Sequence, residues 1–372
     1  MRMKNEKVIG IFARQMTNVM GGMEKQALGI ASFLINHGYR VLIITLDQEK
    51  IQPFFNSNPK IEFINLNIGH PAKKANIIQK YSRQRKVFKI LKQEKIKIAI
   101  CFMTGAYWYS LVPCKILRIP IVLAERNGPS IYRLTRVRKY RSLIFVSMIF
   151  CKSIIVQFEA YVQSYPLYLR HKIKSIPNYV EVGGSKIKRD DNKFKFIFAG
   201  RLCYQKQILE LAKAFIKFNH YFPDTLLDIY GYGELMPELR AIIDSSSAHE
   251  FIKIYPPFKE PKQILVQYDV LVAPSIWEGF SNSVSEALAN GIPVAGFNDC
   301  EGIRDLIDNN FNGWLIERRD SEESILELLK YSYSCRQEIE KYSLNAKNSV
   351  IKYQRNDIYE NWSNLSLSLL AE

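Results

Sequence analysis

Histidine and cysteine are scarce in this chain of 372 residues, with 5 and 6 copies. Cys101, Cys114, Cys151, Cys203, Cys300 and Cys335 are scattered, with no Cys-x-x-Cys and no neighbouring His pair. That spacing argues against a zinc site or a disulfide framework and fits a reducing cytoplasm. Long hydrophobic runs are missing too. The first apolar run, Val8–Phe12, is too short for a signal-peptide core or a membrane span, and no small-residue cleavage site follows it. Neither half carries Gly-x-Gly-x-x-Gly after its first strand, which argues against a dehydrogenase.

Acidic residues are scarce in the first half only. Residues 1–185 hold 30 Lys and Arg against 9 Asp and Glu, whereas residues 186–372 hold 22 against 27. Such asymmetry concerns partners rather than fold. The basic residues gather at Lys80–Lys97 and Arg133–Arg141, the second cluster running into the apolar Leu143–Phe150. Basic residues flanking an aromatic-bearing apolar stretch suit an anionic membrane surface. A solvated basic face and a core helix over 143–150 are the plainer alternatives. Nucleic acid is disfavoured, because no RNA-recognition motif or Gly-Arg run occurs.

With 47% apolar residues, the chain can bury two sizeable cores. Strands are expected at Val8–Phe12, Val41–Thr45, Ile96–Phe102, Ile121–Ala124 and Ser153–Val156, with a helix over Glu24–Asn36. The alternation restarts with strands at Phe194–Ala199 and Leu226–Tyr230 and helices at Leu209–Asn219 and Glu234–Asp244. Two such series predict an α/β protein of two doubly wound, Rossmann-like domains facing a cleft. They would cover residues 1–185 and 186–372, joined near Pro177–Asp191, with the last helix, about 355–372, packing back on the first domain.

Pro274–Pro293 is the most informative segment. The apolar run Tyr268–Ala273 reads as a buried strand, followed by a polar loop and a helix from near Ser283 to Asn290-Gly291. A helix start at the carboxyl edge of a parallel sheet presents free N–H groups to a phosphate. Glu278 and Glu286 bracket the loop, and acceptor-only carboxylates suit the hydroxyls of a ribose or a sugar. Glu286 has a second reading, as the partner of Ser283 in a capping box, and Glu278 a second reading as a solvated loop residue. No Asp-x-Asp occurs anywhere, so the usual metal-binding pattern of single-sheet sugar transferases is absent.

Over nearly its whole length the sequence resembles family 4 of the retaining glycosyltransferases, which have the GT-B fold. The match rests on the Glu-x7-Glu of Glu278 and Glu286 and on Gly200-Arg201-Leu-Cys-Tyr-Gln-Lys206. It also rests on Gly21-Gly22-Met-Glu24, Ile176-Pro-Asn178, Tyr230-Gly-Tyr-Gly233 and Asn312-Gly313-Trp-Leu315. Ala124-Glu-Arg-Asn-Gly-Pro129 and Glu278–Asn282 resemble bacterial enzymes that extend lipid-linked oligosaccharides. The resemblance implies that Arg201 and Lys206 neutralise a leaving UDP without a metal or other cofactor. A turn arginine and a solvated lysine are their plainer readings. It further implies that Glu278 holds the transferred sugar, that Glu286 holds the ribose, and that Gly279, Phe280, Ser281 and Asn282 offer backbone N–H groups. Gly200 and Gly22 would let backbone approach the donor phosphates, although Gly22 also reads simply as a turn glycine. Two departures stand out. Gln207 replaces the family's usual glycine, and the loop Met103-Thr-Gly-Ala-Tyr-Trp lacks the usual histidine, leaving Thr104 or a backbone group as its substitute.

The implied activity is transfer of a hexose or N-acetylhexosamine from a UDP-sugar to an undecaprenyl-diphosphate-linked glycan. It would serve surface polysaccharide assembly (capsule or lipopolysaccharide) at the cytoplasmic face of the membrane. Two rivals remain: a UDP-sugar 2-epimerase-like enzyme on the same fold, and a non-catalytic nucleotide-sugar-binding protein. The first would need extra acid–base carboxylates and histidines, and the second leaves the Arg201, Lys206, Glu278 and Glu286 set without a purpose.

Overall fold

The computed structural model describes residues 7–17, 21–71, 73–181, 183–184 and 193–371, and side chains as far as residue 370. The chain forms two compact units, Met1–Tyr179 with Asn356–Glu372 (unit 1) and Val180–Arg355 (unit 2). Of the expected junction at Pro177–Asp191, residues 182 and 185–191 lie outside the described residues.

Unit 1 contains β1 (Val8–Phe12), β2 (Arg40–Thr45), β3 (Glu62–Asn65), β4 (Ile98–Phe102), β5 (Ile121–Ala124), β6 (Ser153–Val156) and β7 (Ile173–Ser175). Among the described residues they form one parallel sheet in the order β3-β2-β1-β4-β5-β6-β7. β1, β4, β5 and β6 are buried at every position, as a parallel sheet covered on both faces requires. β4 starts two residues later than expected, because Lys95 takes a left-handed turn (φ 53°) and Ile96 packs on Gly10 before the ladder begins. The helix Gly22–Asn36 packs on this sheet and stops before Gly38, whose φ of 83° suits a residue without a Cβ. The last helix, Arg355–Ala371, brings Ile358, Tyr359, Trp362 and Leu365 into the unit 1 core. There the Tyr359 hydroxyl lies so close to Gly29 that a Cβ would overlap it.

Unit 2 contains β8 (Phe194–Ala199), β9 (Thr225–Tyr230), β10 (Ile252–Tyr255), β11 (Val270–Ala273), β12 (Val294–Phe297) and β13 (Gly313–Ile316). Their order among the described residues is β10-β9-β8-β11-β12-β13, again all parallel. Phe194, Phe196 and Phe198 of β8 share one core with Phe215 and Phe218 of the helix Ile208–Tyr221. Both units are therefore the doubly wound α/β sheets expected from the alternation. In each sheet the strand order reverses beside its first strand, at β1/β4 and at β8/β11, and an open α/β sheet binds ligands outside the carboxyl ends of such a pair.

Candidate functional site

Gly200 to Lys206 leave the carboxyl end of β8 in a turn built on glycine contacts. Gly200 N–H donates to Tyr230 O at 3.0 Å and Leu202 N–H to Tyr232 O at 2.8 Å. A Cβ at Gly231 would overlap the Gly200 carbonyl, and one at Gly233 the Leu202 carbonyl. Backbone thus packs directly on backbone where β8 and β9 end. Arg201 projects into solvent from this turn, and its guanidinium makes no ion pair among the described residues. The turn ends with a single 3-10 turn, Tyr204–Lys206, and then Gln207, which has φ 47° and is buried. The left-handed conformation gives a physical reason for the glycine usual at that position.

Loop and helix after β11 supply the facing charge. Lys206 Nζ lies 2.5 Å from Glu278 Oε1, and the two side chains are only 16% and 13% exposed. The stem of Lys206 passes over Gly200, where a Cβ would stand 3.4 Å from Lys206 Cε. The helix runs from Asn282 to Ala289 with extended Ser281 as N-cap, one residue earlier than the expected start at Ser283. Ser283 therefore sits inside the first turn, its hydroxyl 3.3 Å from that of Ser281, and no Ser283–Glu286 capping box forms. Glu286 falls in the second turn, half-buried, rather than in the first. Asn290 and Gly291 (φ 74°) close the helix as expected. The Phe280 ring is buried edge-on against Tyr353 at 5.2 Å, so only the backbone of that residue is left for a ligand.

Three further groups hold this loop, and no motif spacing in the chain marks them. Gln205 O accepts from Ile276 N–H at 2.9 Å, and Gln205 Nε2 donates to Trp277 O at 2.6 Å, tying the Lys206 turn to the Glu278 loop. Arg318 Nη1 and Nη2 donate to the carbonyls of Pro274 (3.1 Å) and Ser275 (2.7 Å). Its guanidinium lies over the Phe297 ring at 3.9 Å and pairs with Asp299 at 3.1 Å. Gly302 abuts the Gly279 carbonyl so closely that a Cβ would overlap it. Cys300 is buried beside these charges, and burial first, then the Glu278 carboxylate, raise its thiol pKa well above normal. That thiol is held neutral and inert.

Gly22 lies in unit 1, as the first residue of its helix, with Gly21 as N-cap and the Glu24 carboxylate folded over Gly21. After β4 the chain enters the helix Met103–Ile116 through Met103, whose φ is 67°. Thr104 is half-buried in that first turn, and Met103 Sδ accepts from Arg126 N–H at 3.3 Å. Arg126 is buried between Phe102 and Trp362, 5.5 and 5.2 Å from their rings, and donates to Ile176 O and Asn178 Oδ1 at 3.2 Å each. Burial pushes Glu125 up to about 7, against a 2.6 Å hydrogen bond from the Tyr132 hydroxyl, and pulls Arg126 down to about 9.

Residues 184–349, which include Arg201, Lys206, Glu278, Glu286 and Arg318, match the family model for glycosyl transferases group 1. Over that stretch the chain is similar to this family. The chain is 31% identical over 180 residues to the GtfA subunit of a UDP-N-acetylglucosamine–peptide N-acetylglucosaminyltransferase from Streptococcus pneumoniae, covering 48% of this chain and 34% of the relative. The chain thus matches only about a third of the length of that relative. Against the UDP-Gal:alpha-D-GlcNAc-diphosphoundecaprenol alpha-1,3-galactosyltransferase of Escherichia coli, identity is 24% over 346 residues, covering 85% of this chain and 86% of the relative. Sucrose-phosphate synthase from Thermosynechococcus elongatus superposes with a TM-score of 0.80 at 16% identity, covering 99% of this chain and 100% of that one. The family match and this likeness agree on the GT-B fold.

Proposed function

We propose that this protein is a retaining, metal-independent glycosyltransferase that moves a hexose or N-acetylhexosamine from a UDP-sugar to a lipid-linked glycan in bacterial surface polysaccharide assembly. The observation that carries the reading is the Lys206–Glu278 pair beside the exposed Arg201, at the β8/β11 reversal of a glycine-lined sheet edge. Two basic side chains there can neutralise the charge that develops on a leaving UDP, the task a metal ion performs elsewhere. Arg201 offers a planar fork and Lys206 a compact charge. Glu278 accepts from hydroxyls of the transferred sugar, and Glu286 from those of the ribose. Gly200 and the backbone of Gly279, Phe280, Ser281 and Asn282 allow close approach to sugar and phosphate.

The donor class draws support from the printed names of the streptococcal and E. coli relatives, each of which specifies a UDP-linked sugar. The E. coli name also specifies a diphosphoundecaprenol-linked acceptor, which suits the basic first unit. Unit 1 is proposed as the acceptor-binding, membrane-facing side and unit 2 as the nucleotide-sugar side. In unit 1 the helix Arg141–Ser147 and the turn Met148–Phe150 bury Ile144, Phe145 and Met148 while exposing Leu143, Val146, Ile149 and Phe150. Arg133, Arg136, Arg138 and Lys139 are exposed beside them. Apolar side chains within a basic rim fit an anionic bilayer surface at the cytoplasmic face. No helix among the described residues is long and apolar enough to cross a membrane.

The test is a panel of UDP-sugars incubated with purified protein and an undecaprenyl-diphosphate-linked acceptor, reading UDP release and the anomeric configuration of the product by NMR. Acceptor-dependent UDP release with retained configuration is expected. Interconversion of UDP-sugars without an acceptor would favour the epimerase, and binding without turnover the non-catalytic reading.

A further inference from the structure

Lys206, a half-buried cation of the site, is paired with a carboxylate. Lys206 and Glu278 meet at 2.5 Å, and the contact is bracketed on both sides rather than left to two mobile side chains. Gln205 ties the turn to the loop through the backbone N–H of Ile276 and the carbonyl of Trp277. Gly200 lies beneath the lysine stem, and Gly302 presses on the Gly279 carbonyl next to Glu278. Arg201, one strand-end away on the same turn, has no such partner among the described residues.

We infer that Glu278 is a charge gate that makes the site prefer an intact nucleotide sugar over the bare nucleoside diphosphate. The inference rests on the donor site proposed above and adds a selectivity to it. A bare nucleoside diphosphate carries more negative charge than the same nucleotide bearing a sugar. It also brings no sugar hydroxyl, so the carboxylate gains nothing and repels it, while Lys206 must be shared between two anions. A nucleotide sugar meets the same carboxylate with hydroxyl donors, which satisfy its remaining lone pairs. The same side chain therefore opposes one ligand and accepts the other. After transfer, loss of the sugar leaves the diphosphate facing a carboxylate that has lost its hydroxyl partners, which favours product release.

The test is calorimetric titration of UDP and of UDP-N-acetylglucosamine into the wild type, Glu278→Gln and Gln205→Ala, with melting temperatures as the folding control. Glu278→Gln should bind UDP about tenfold more tightly, about 1.4 kcal/mol. UDP-N-acetylglucosamine should gain less or weaken, so the preference for the sugar-bearing form falls. Gln205→Ala, which loosens the bracket and leaves both charges in place, should tighten UDP about threefold. UDP affinity unchanged or weakened in both folded variants would overturn the gate. Absence of UDP binding to the wild type would instead overturn the donor site itself.

Discussion

Where β5 ends, unit 1 turns Glu125 and Arg126 inward, between aromatic rings and backbone carbonyls, with Glu125 Oε1 and Arg126 Nη2 buried and without hydrogen-bond partners among the described residues. Where β8 ends, unit 2 keeps Arg201 at the surface and pairs Lys206 with Glu278 under thin cover. Both are charged groups at the carboxyl edge of a parallel sheet, and at the second, glycines pack backbone directly on backbone. The more strongly perturbed titrations belong to the sealed edge, because desolvation is the largest cause of each. A shifted pKa marks burial, and access has to be judged separately.

The largest effect expected concerns the basic surface of unit 1 rather than these edges. Arg133, Arg136, Arg138 and Lys139 changed together to Gln should weaken binding to anionic vesicles by about 10³-fold, since each basic residue near such a surface contributes about 1 kcal/mol. The wild-type binding should fall steeply with salt, as exposed charges are screened beyond about 8–10 Å. Sedimentation with vesicles of mixed neutral and anionic lipid measures both, and indifference to salt and to the four residues would remove the membrane role from unit 1.

At the open edge, Arg201→Ala and Lys206→Ala should each lower turnover by about 10²–10³-fold. Melting temperature should hardly change for Arg201→Ala, because that side chain is exposed. Parallel loss of folded protein and activity would make these residues structural, and would erase the contrast with Arg126.

At the sealed edge the readout is stability against pH. The folded pKa of Glu125, about 7, exceeds the 4.5 of an unperturbed carboxyl. Protonation is thus favoured in the folded state, and its contribution is complete below about pH 4.5 and lost as pH rises through 7. Relative to Glu125→Gln, the wild type should lose on the order of 3 kcal/mol between pH 4.5 and 7.5. Equal pH slopes in denaturant titrations of the two proteins would mean that the Glu125 carboxyl is solvated.

The smallest effect returns to the open edge. Gln207→Gly should stabilise unit 2 by about 1 kcal/mol, by relieving a left-handed backbone at a residue with a Cβ. Thermal unfolding measures it, and destabilisation would show that the buried glutamine stem contributes more than the strain costs.

Much of this was legible in the chain. Apolar runs such as Val8–Phe12 and Phe194–Ala199 mark buried strands by composition alone, and the Lys206 and Glu278 motifs lie where the sheet order reverses. Glu62–Asn65 and Ile173–Ser175 escaped, being short edge strands with exposed or half-exposed positions that show no continuous apolar run. Local spacing cannot distinguish which of Ser281 and Ser283 adopts the extended backbone and caps the helix. Arg318 was out of reach for another reason, since its partners Pro274 and Ser275 lie more than 40 residues earlier in the chain.

Hydrogen–deuterium exchange with and without saturating UDP tests the central claim, a nucleotide site at the open edge of unit 2, most directly. Slower exchange is predicted in two segments of that unit, 199–206 and 275–289, where backbone N–H groups would face the diphosphate and the nucleoside. Protection confined to unit 1, or unchanged exchange in both segments while UDP is bound, would contradict it.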